Sequence, residues 1–336
     1  MFGGGNWGVL GQGTEEDVRH TKPVQVTKFE KLGLKVVDVV LGECHTMALT
    51  DDGNLWTWGY GGKEGYFSWM VTQEVGALGH GDKKPHFVPT KVKFFEENNI
   101  KVKSISAGLF HNNVLDTEGK VWTWGRGLYG VLGNGANNSE LLPVLNEDVE
   151  ALKEEDPENN EIVKMDSADE FTVLQLADGN LYAYGKNDRG QMGTQVGIGM
   201  DMIECENIPT WVELKDPEEK VVFAKNFEIG QNTQIIQDSE DRVYLTGLKL
   251  FYNPKQLAFT PDFLDVSNID LMACGRKHFM ITTKDKKLFA WGPVFKEKSN
   301  DEQEGFFPYH GDVLFEDGHI RQLEVKYNIL GALVEH

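Results

Sequence analysis

The segment from Gly42 to Gly59, GECHTMALTDDGNLWTWG, returns 66 positions later as GLFHNNVLDTEGKVWTWG between Gly108 and Gly125. Both copies open on Gly-x-x-His, pass through an acidic-Gly turn and close on an aromatic-Gly pair at the same offsets. Self-similarity at such a period is the mark of a repeat architecture, and it governs every local reading of the chain. Aromatic-Gly pairs also stand at Phe2-Gly3, Tyr184-Gly185 and Trp291-Gly292, with Thr246-Gly247 as a degenerate copy. Together they divide the chain into six units.

Within a unit, the alternation of NLWTWG or KVWTWG suits a half-buried strand with one aromatic and one polar face. Asp51-Asp52-Gly53, Thr117-Glu118-Gly119 and Asp178-Gly179 are hairpin signals joining each such strand to the one before it. Gly-rich turns follow the aromatic-Gly pairs (NWGVLGQG, EVGALGHG, LYGVLGNG, DRGQMGTQ), and Pro-centred segments follow the turns at Pro23, Pro89, Pro143 and Pro209. Proline fits the first residue or the edge of a strand, where no ladder donor is needed. A Val/Ile-rich strand such as VVDVVLG completes the unit. Four short strands per unit without a long helical period predict an all-β chain, a single β-propeller spanning residues 1–336. The last unit stops at LGALVEH without its final aromatic-Gly strand, and Phe2-Gly3 begins the chain with that strand. The N-terminal strand is therefore expected to pair into the C-terminal blade and close the ring, removing an open edge.

This pattern resembles the repeat of the regulator of chromosome condensation family over nearly the whole chain. The best copies are the first two. Ala168-Asp169-Glu170-Phe171 and Gly230-Gln231-Asn232-Thr233 stand where the motif has Gly-x-x-His, and Gly275-Arg276-Lys277-His278 restores it. The resemblance implies four-stranded blades, usually seven of them. Six are counted here, and seven requires splitting one unit.

The imidazoles of His45, His111 and His278 recur at one repeat position, so they are expected around a ring rather than in one catalytic or metal-binding cluster. Each is read as satisfying backbone groups between strands, since buried polar groups are hydrogen-bonded. Trp58, Trp124 and Trp291 are read likewise as structural. Cys44, Cys205 and Cys274 form no C-x-x-C pair, and no phosphate loop, H-E-x-x-H or Ser/His/Asp order is present. No catalytic residue, cofactor or metal is expected. A net charge of -20, from 33 basic and 53 acidic side chains, disfavours direct binding to nucleic acid. No apolar run approaches the length of a membrane span, and the start MFGGGNWG does not read as a targeting peptide. The expectation is an intracellular, non-secreted protein, in the cytoplasm or in an organelle such as the mitochondrion or cilium.

Candidate function therefore falls on what interrupts the repeat: insertions at 60–74, 146–161 and 295–307. The first carries Tyr60, Tyr66, Phe67, Trp69 and Met70, large apolar side chains with no place assigned by the repeat, and Tyr and Trp are favoured interface anchors. The second, NEDVEALKEEDPENNE, predicts a short helix around Val149–Lys153, whose Glu150, Glu154 and Glu155 offer an acidic docking face. Two functions remain. One is a non-enzymatic scaffold, an accessory subunit of a larger assembly. The other, implied by the resemblance, is a guanine-nucleotide exchange factor for a small GTPase, although the family's wedge cannot be matched residue by residue.

Overall fold

The computed structural model describes residues 1–14, 19–62, 76–155, 157–158, 160–194, 205–216, 218–247, 251–256, 269–275, 279–284, 288–291, 308–311, 319–326 and 329–335. Among these, the strands form five four-stranded antiparallel sheets and two two-stranded ones. The first sheet is Val36–Leu41, His45–Thr50, Leu55–Gly59 and His86–Lys91. The second is Val102–Ala107, His111–Asp116, Val121–Gly125 and Glu140–Leu145. The third is Ile162–Ser167, Phe171–Leu176, Leu181–Lys186 and Cys205–Val212. The fourth runs from Ala224–Gly230 to Phe251–Gln256 and the fifth from Ile269–Cys274 to Pro308–Gly311.

At the two ends, Gly3–Gly4 pairs with Arg19–His20 and His319–Lys326 pairs with Ile329–Glu335. Gly3 faces His20 as Gly59 faces His86, so the N-terminal pair has the register of the third and fourth strands of a repeat. These are the sheets of a β-propeller with about six blades. The chain divides into two compact units, residues 1–177 with 183–186 and 205–209, and residues 178–182, 187–204 and 210–336.

In the first unit, His45–Thr50 and Leu55–Gly59 are buried along their whole length. The half-buried strand expected from sequence is thus corrected, because the second sheet covers one face and the Asn6–Gly8 turn with the helix Thr27–Leu32 covers the other. Met47, Leu49 and Leu55 from the first sheet share a core with Ile105, Val114 and Trp124 from the second. Each face also carries a buried, hydrogen-bonded hydroxyl: Thr57 Oγ1, on the face of Met47, donates to Leu78 O (2.7 Å), and Thr46 Oγ1, on the face of Trp58, donates to Val9 O (3.0 Å).

The Gly-rich turn and the aromatic-Gly pair act together across units. Trp58 Nε1 donates to Val9 O (2.8 Å), and Trp124 Nε1 to Ala77 O (3.3 Å), each in the turn preceding its own sheet. At Gly79, φ is +73°, and a Cβ there would stand 2.8 Å from Trp124 Nε1, so both the backbone conformation and the contact demand glycine. Tyr184 is fully buried, and its ring lies as close to Gly133.

Three short helices follow fourth-strand segments. Thr27–Leu32 sets Phe29 against Trp56 (5.5 Å between centroids), and Lys93–Glu97 sets Phe94 against Trp122 (5.4 Å). The third is Glu147–Glu155. Among the described residues, no helix is long and apolar enough to cross a membrane.

Candidate functional site

The histidines at the repeat position face the following sheet. His45 and His111 are each 1 % exposed. His45 Nε2 lies 2.7 Å from Asn112 Oδ1, and Asn112 Nδ2 donates to Ala77 O (2.8 Å). His111 Nε2 lies 3.2 Å from Thr172 Oγ1. Around it, Asn113 Nδ2 donates to Ser167 Oγ and Thr172 Oγ1, and Tyr184 OH donates to Asn113 Oδ1 (2.9 Å). Their Nε2 partners are thus side chains one repeat onward, not the backbone groups expected from sequence. Stacked sheets bury this face away from water, and a side chain of the next sheet is the group that reaches it. Burial, and then the charges of His45 and Arg126, push the His111 imidazole down to about 3, and it stays neutral at physiological pH. Burial also pushes the Cys44 thiol up to about 12, far from a reactive thiolate. Trp58 and Trp124 are buried, and Trp291 ends the strand Leu288–Trp291; His278 lies outside the described residues.

Tyr60 is 2 % exposed and belongs to a core cluster with Cys44, Ala77 and Phe110. Its ring lies 5.8 Å from Trp7 and 6.5 Å from Phe110. The repeat does give this position a place. Tyr60 N–H donates to Cys44 O, as Arg126 N–H does to Phe110 O and Lys186 N–H to Glu170 O. Tyr60 thus lies in the interior, and not among exposed loop anchors. Tyr66, Phe67, Trp69 and Met70 lie outside the described residues, as does the insertion 295–307.

The helix Glu147–Glu155 extends beyond the expected Val149–Lys153 at both ends. Asn146 Oδ1 accepts from Val149 N–H (3.0 Å), a side-chain cap that satisfies one of the helix's orphan N–H donors, and Val149 is fully buried. Lys153 Nζ donates to Gly119 O (2.8 Å) and pairs with Glu150 (3.1 Å), so Glu150 is tied back to the body. Glu154 is exposed to solvent, and Glu155 is the last residue of the helix.

Sequence reasoning missed a charged cluster built on those same equivalent positions. The pair before the histidine position and after the aromatic-Gly is Cys44/Tyr60 in the first sheet, Phe110/Arg126 in the second and Glu170/Lys186 in the third. Lys186 Nζ pairs with Glu170 Oε2 (2.7 Å) and stands 4.5 Å above the Tyr129 ring; Arg126 Nη1 is 3.8 Å from Glu170 Oε1. Leu109, Phe110, His111, Leu128, Val131 and Asp169 line a pocket of ≈ 10 Å³ beside Arg126 and Glu170, about the space of one water molecule. Aligning residues by repeat position is the signal that finds this cluster. Among the described residues, no three His, Cys, Asp or Glu side chains come together as a metal site. The arrangement offers partly buried charge and aromatic faces for recognition.

The profile of the regulator of chromosome condensation (RCC1) repeat matches residues 1–49, 73–115 and 118–175, and a second profile of that repeat matches 36–64 and 102–131. The chain is 25 % identical over 302 residues to the ultraviolet-B receptor UVR8 of Arabidopsis thaliana, covering 87 % of this chain and 60 % of that one. It is 25 % identical over 310 residues to protein RCC2 of Homo sapiens, covering 87 % and 48 %. Thus the chain spans only part of the length of these relatives. The crystal structure of Prp20p from Saccharomyces cerevisiae, described with its binding to Gsp1p and histones, superposes with a TM-score of 0.73. The match covers 99 % of this chain and 77 % of Prp20p at 17 % identity, a likeness of fold.

Proposed function

The chain belongs to the regulator of chromosome condensation (RCC1) repeat family, and on that premise we propose that it is a non-enzymatic protein-interaction propeller, an intracellular accessory subunit of a larger assembly. One observation carries this reading: equivalent positions of the repeat keep the same backbone bonds while their side chains change from buried and apolar to charged. Cys44 and Tyr60 are core, whereas Glu170 and Lys186 are a partly exposed ion pair. A scaffold that keeps its framework and varies what it displays suits recognition. The two described imidazoles at the repeat position are buried partners of side chains in the next sheet, and His111 is neutral, which supports a structural role for them rather than proton transfer.

The helix Glu147–Glu155 is the surface we assign to a basic partner, since its cap, its buried Val149 and the Lys153 contact hold it rigid while Glu154 faces water. Pre-organised charge favours association rate and specificity. In the second reading the partner is a small GTPase and the chain accelerates nucleotide release. The naming of Gsp1p with Prp20p supports keeping that reading in the test.

Native co-purification of the tagged full chain with mass spectrometry tests the proposal. A stoichiometric complex that is weakened in Glu154→Lys is expected. Acceleration of nucleotide release from any member of a GTPase panel overturns the pure scaffold, and recovery of the chain alone under every native condition overturns the accessory-subunit role.

A further inference from the structure

After the first and second sheets, the chain leaving the fourth strand enters a helix, Lys93–Glu97 or Glu147–Glu155. These helices set Phe94 against Trp122 and Lys153 against the Gly119 turn. After Cys205–Val212 the described residues 213–216 and 218–223 form no helix. They instead make a tight reversal, in which Lys215 bridges Val221 and Val222 N–H donates to Leu214 O (3.0 Å). Asp216 Oδ1 accepts from Glu218 and Lys220 N–H, which fixes the tip. Val212 and Leu214 are each 2 % exposed and anchor the reversal inward.

Without the helix, three apolar side chains are left outside: Trp211 at 40 %, Val221 at 43 % and Phe223 at 46 % exposure. They are held in place. Trp211 Nε1 donates to Asn180 Oδ1 (3.1 Å), and Phe223 Cβ lies 2.9 Å from where a Cβ on Gly179 would stand. Trp211 and Phe223 therefore rest on consecutive residues of one hairpin turn. Trp211 stands two residues after Pro209, the position of Lys91 after Pro89, where the lysine lies over the Trp56 ring. In place of a lysine covering an aromatic ring, this sheet presents the ring itself.

The surroundings select the partner. Residues 213–220 carry four carboxylates, Glu213, Asp216, Glu218 and Glu219, against Lys215 and Lys220, and those lysines are already paired with Glu213 (3.0 Å) and Glu218 (2.6 Å). The whole chain is at -20. Aromatic faces rimmed by excess carboxylate favour a guanidinium or ammonium beside an apolar side chain, through cation–π contact and charge complementarity. We propose that Trp211, Val221 and Phe223 form a docking surface for an extended basic-apolar segment of a protein partner. This surface is made of residues other than the acidic helix, so its failure leaves the earlier reading standing.

The test is fluorescence anisotropy of a labelled alternating Arg/Leu decapeptide against the full chain, with Arg/Ser and Glu/Leu decapeptides as controls. The Arg/Leu peptide is expected to bind best, and its affinity to fall with added salt. Trp211→Ala weakens it about tenfold or more, as for a truncated aromatic anchor. Should Trp211→Ala lower the melting temperature, the exposed double variant Glu218→Lys/Glu219→Lys carries the test, with a severalfold loss expected. Equal binding of Arg/Leu and Arg/Ser peptides overturns the proposal. Unchanged affinity in both variants does so too, as does a concentration-dependent dimer in sedimentation that Trp211→Ala abolishes, since the patch then serves a second copy of this chain.

Discussion

Replacing Thr172 by valine removes one hydroxyl from the buried network joining the second and third sheets and leaves the side-chain volume nearly unchanged. Thr172 Oγ1 stands 3.2 Å from His111 Nε2, 3.1 Å from Asn113 Nδ2 and 3.1 Å from Ser167 Oγ. Asn113 Nδ2 and Ser167 Oγ still have each other at 3.0 Å, so their loss is partial. His111 Nε2 loses its hydrogen bond, and the ring is neutral and 1 % exposed. Leaving one buried neutral group unpaired costs about 1–3 kcal/mol, and the added methyl returns less than about 1 kcal/mol. The net expectation is about 2 kcal/mol, close to thirtyfold in the opening equilibrium. Hydrogen exchange of amides in His111–Asp116 and Phe171–Leu176 reads this locally, without requiring the two units to unfold together. Thr172→Ser keeps the hydroxyl and should lose clearly less protection. If Thr172→Val stays within about 0.5 kcal/mol of the parent, or Thr172→Ser is equally damaging, the hydrogen-bonded link between sheets does not contribute as argued.

Two further outcomes follow from the same packing. Tyr60→Ala should behave as a core truncation, costing about 3–5 kcal/mol as for other large aromatics; calorimetry showing an unchanged melting temperature would return Tyr60 to the surface. Acid should destabilise the first unit. Burial and then His86 push the His80 imidazole from 6.5 down to about 4, and His111 falls to about 3. The unfolded chain therefore binds more protons as pH drops through 6.5, and the stability lost continues to grow until the folded pKa values are reached. Each histidine contributes on the order of 3 kcal/mol of that loss by pH 4. Thermal melts between pH 7 and 4.5 check the slope, and His80→Gln should flatten it; an unchanged slope in that variant refutes the assignment.

Fold was legible because its signals are covalent and periodic. Aromatic-Gly, Gly-rich turn, proline and hairpin glycine recur at fixed offsets, and each demands a particular backbone conformation whatever surrounds it. The helices Thr27–Leu32 and Lys93–Glu97 were not legible, since five or six residues are too short to display a helical period. Nor was the burial of Tyr60, which looks like the start of an insertion until its N–H is seen bonded to Cys44 O, as its equivalents are bonded in the next two sheets.

The sequence by itself determined that the chain is a series of four-stranded sheets and that His45 and His111 are repeat positions. Only the tertiary structure decided what those positions touch. Packing buries both faces of a strand such as His45–Thr50, and the Nε2 partners of His45 and His111 are set by the neighbouring sheet about one repeat away. Trp211 is 40 % exposed where the described residues after it form no helix, unlike those after the first two sheets. Distances of 54 to 71 residues along the chain, as between Asn113 and Ser167 or Tyr184, are closed by packing, and no local pattern encodes them.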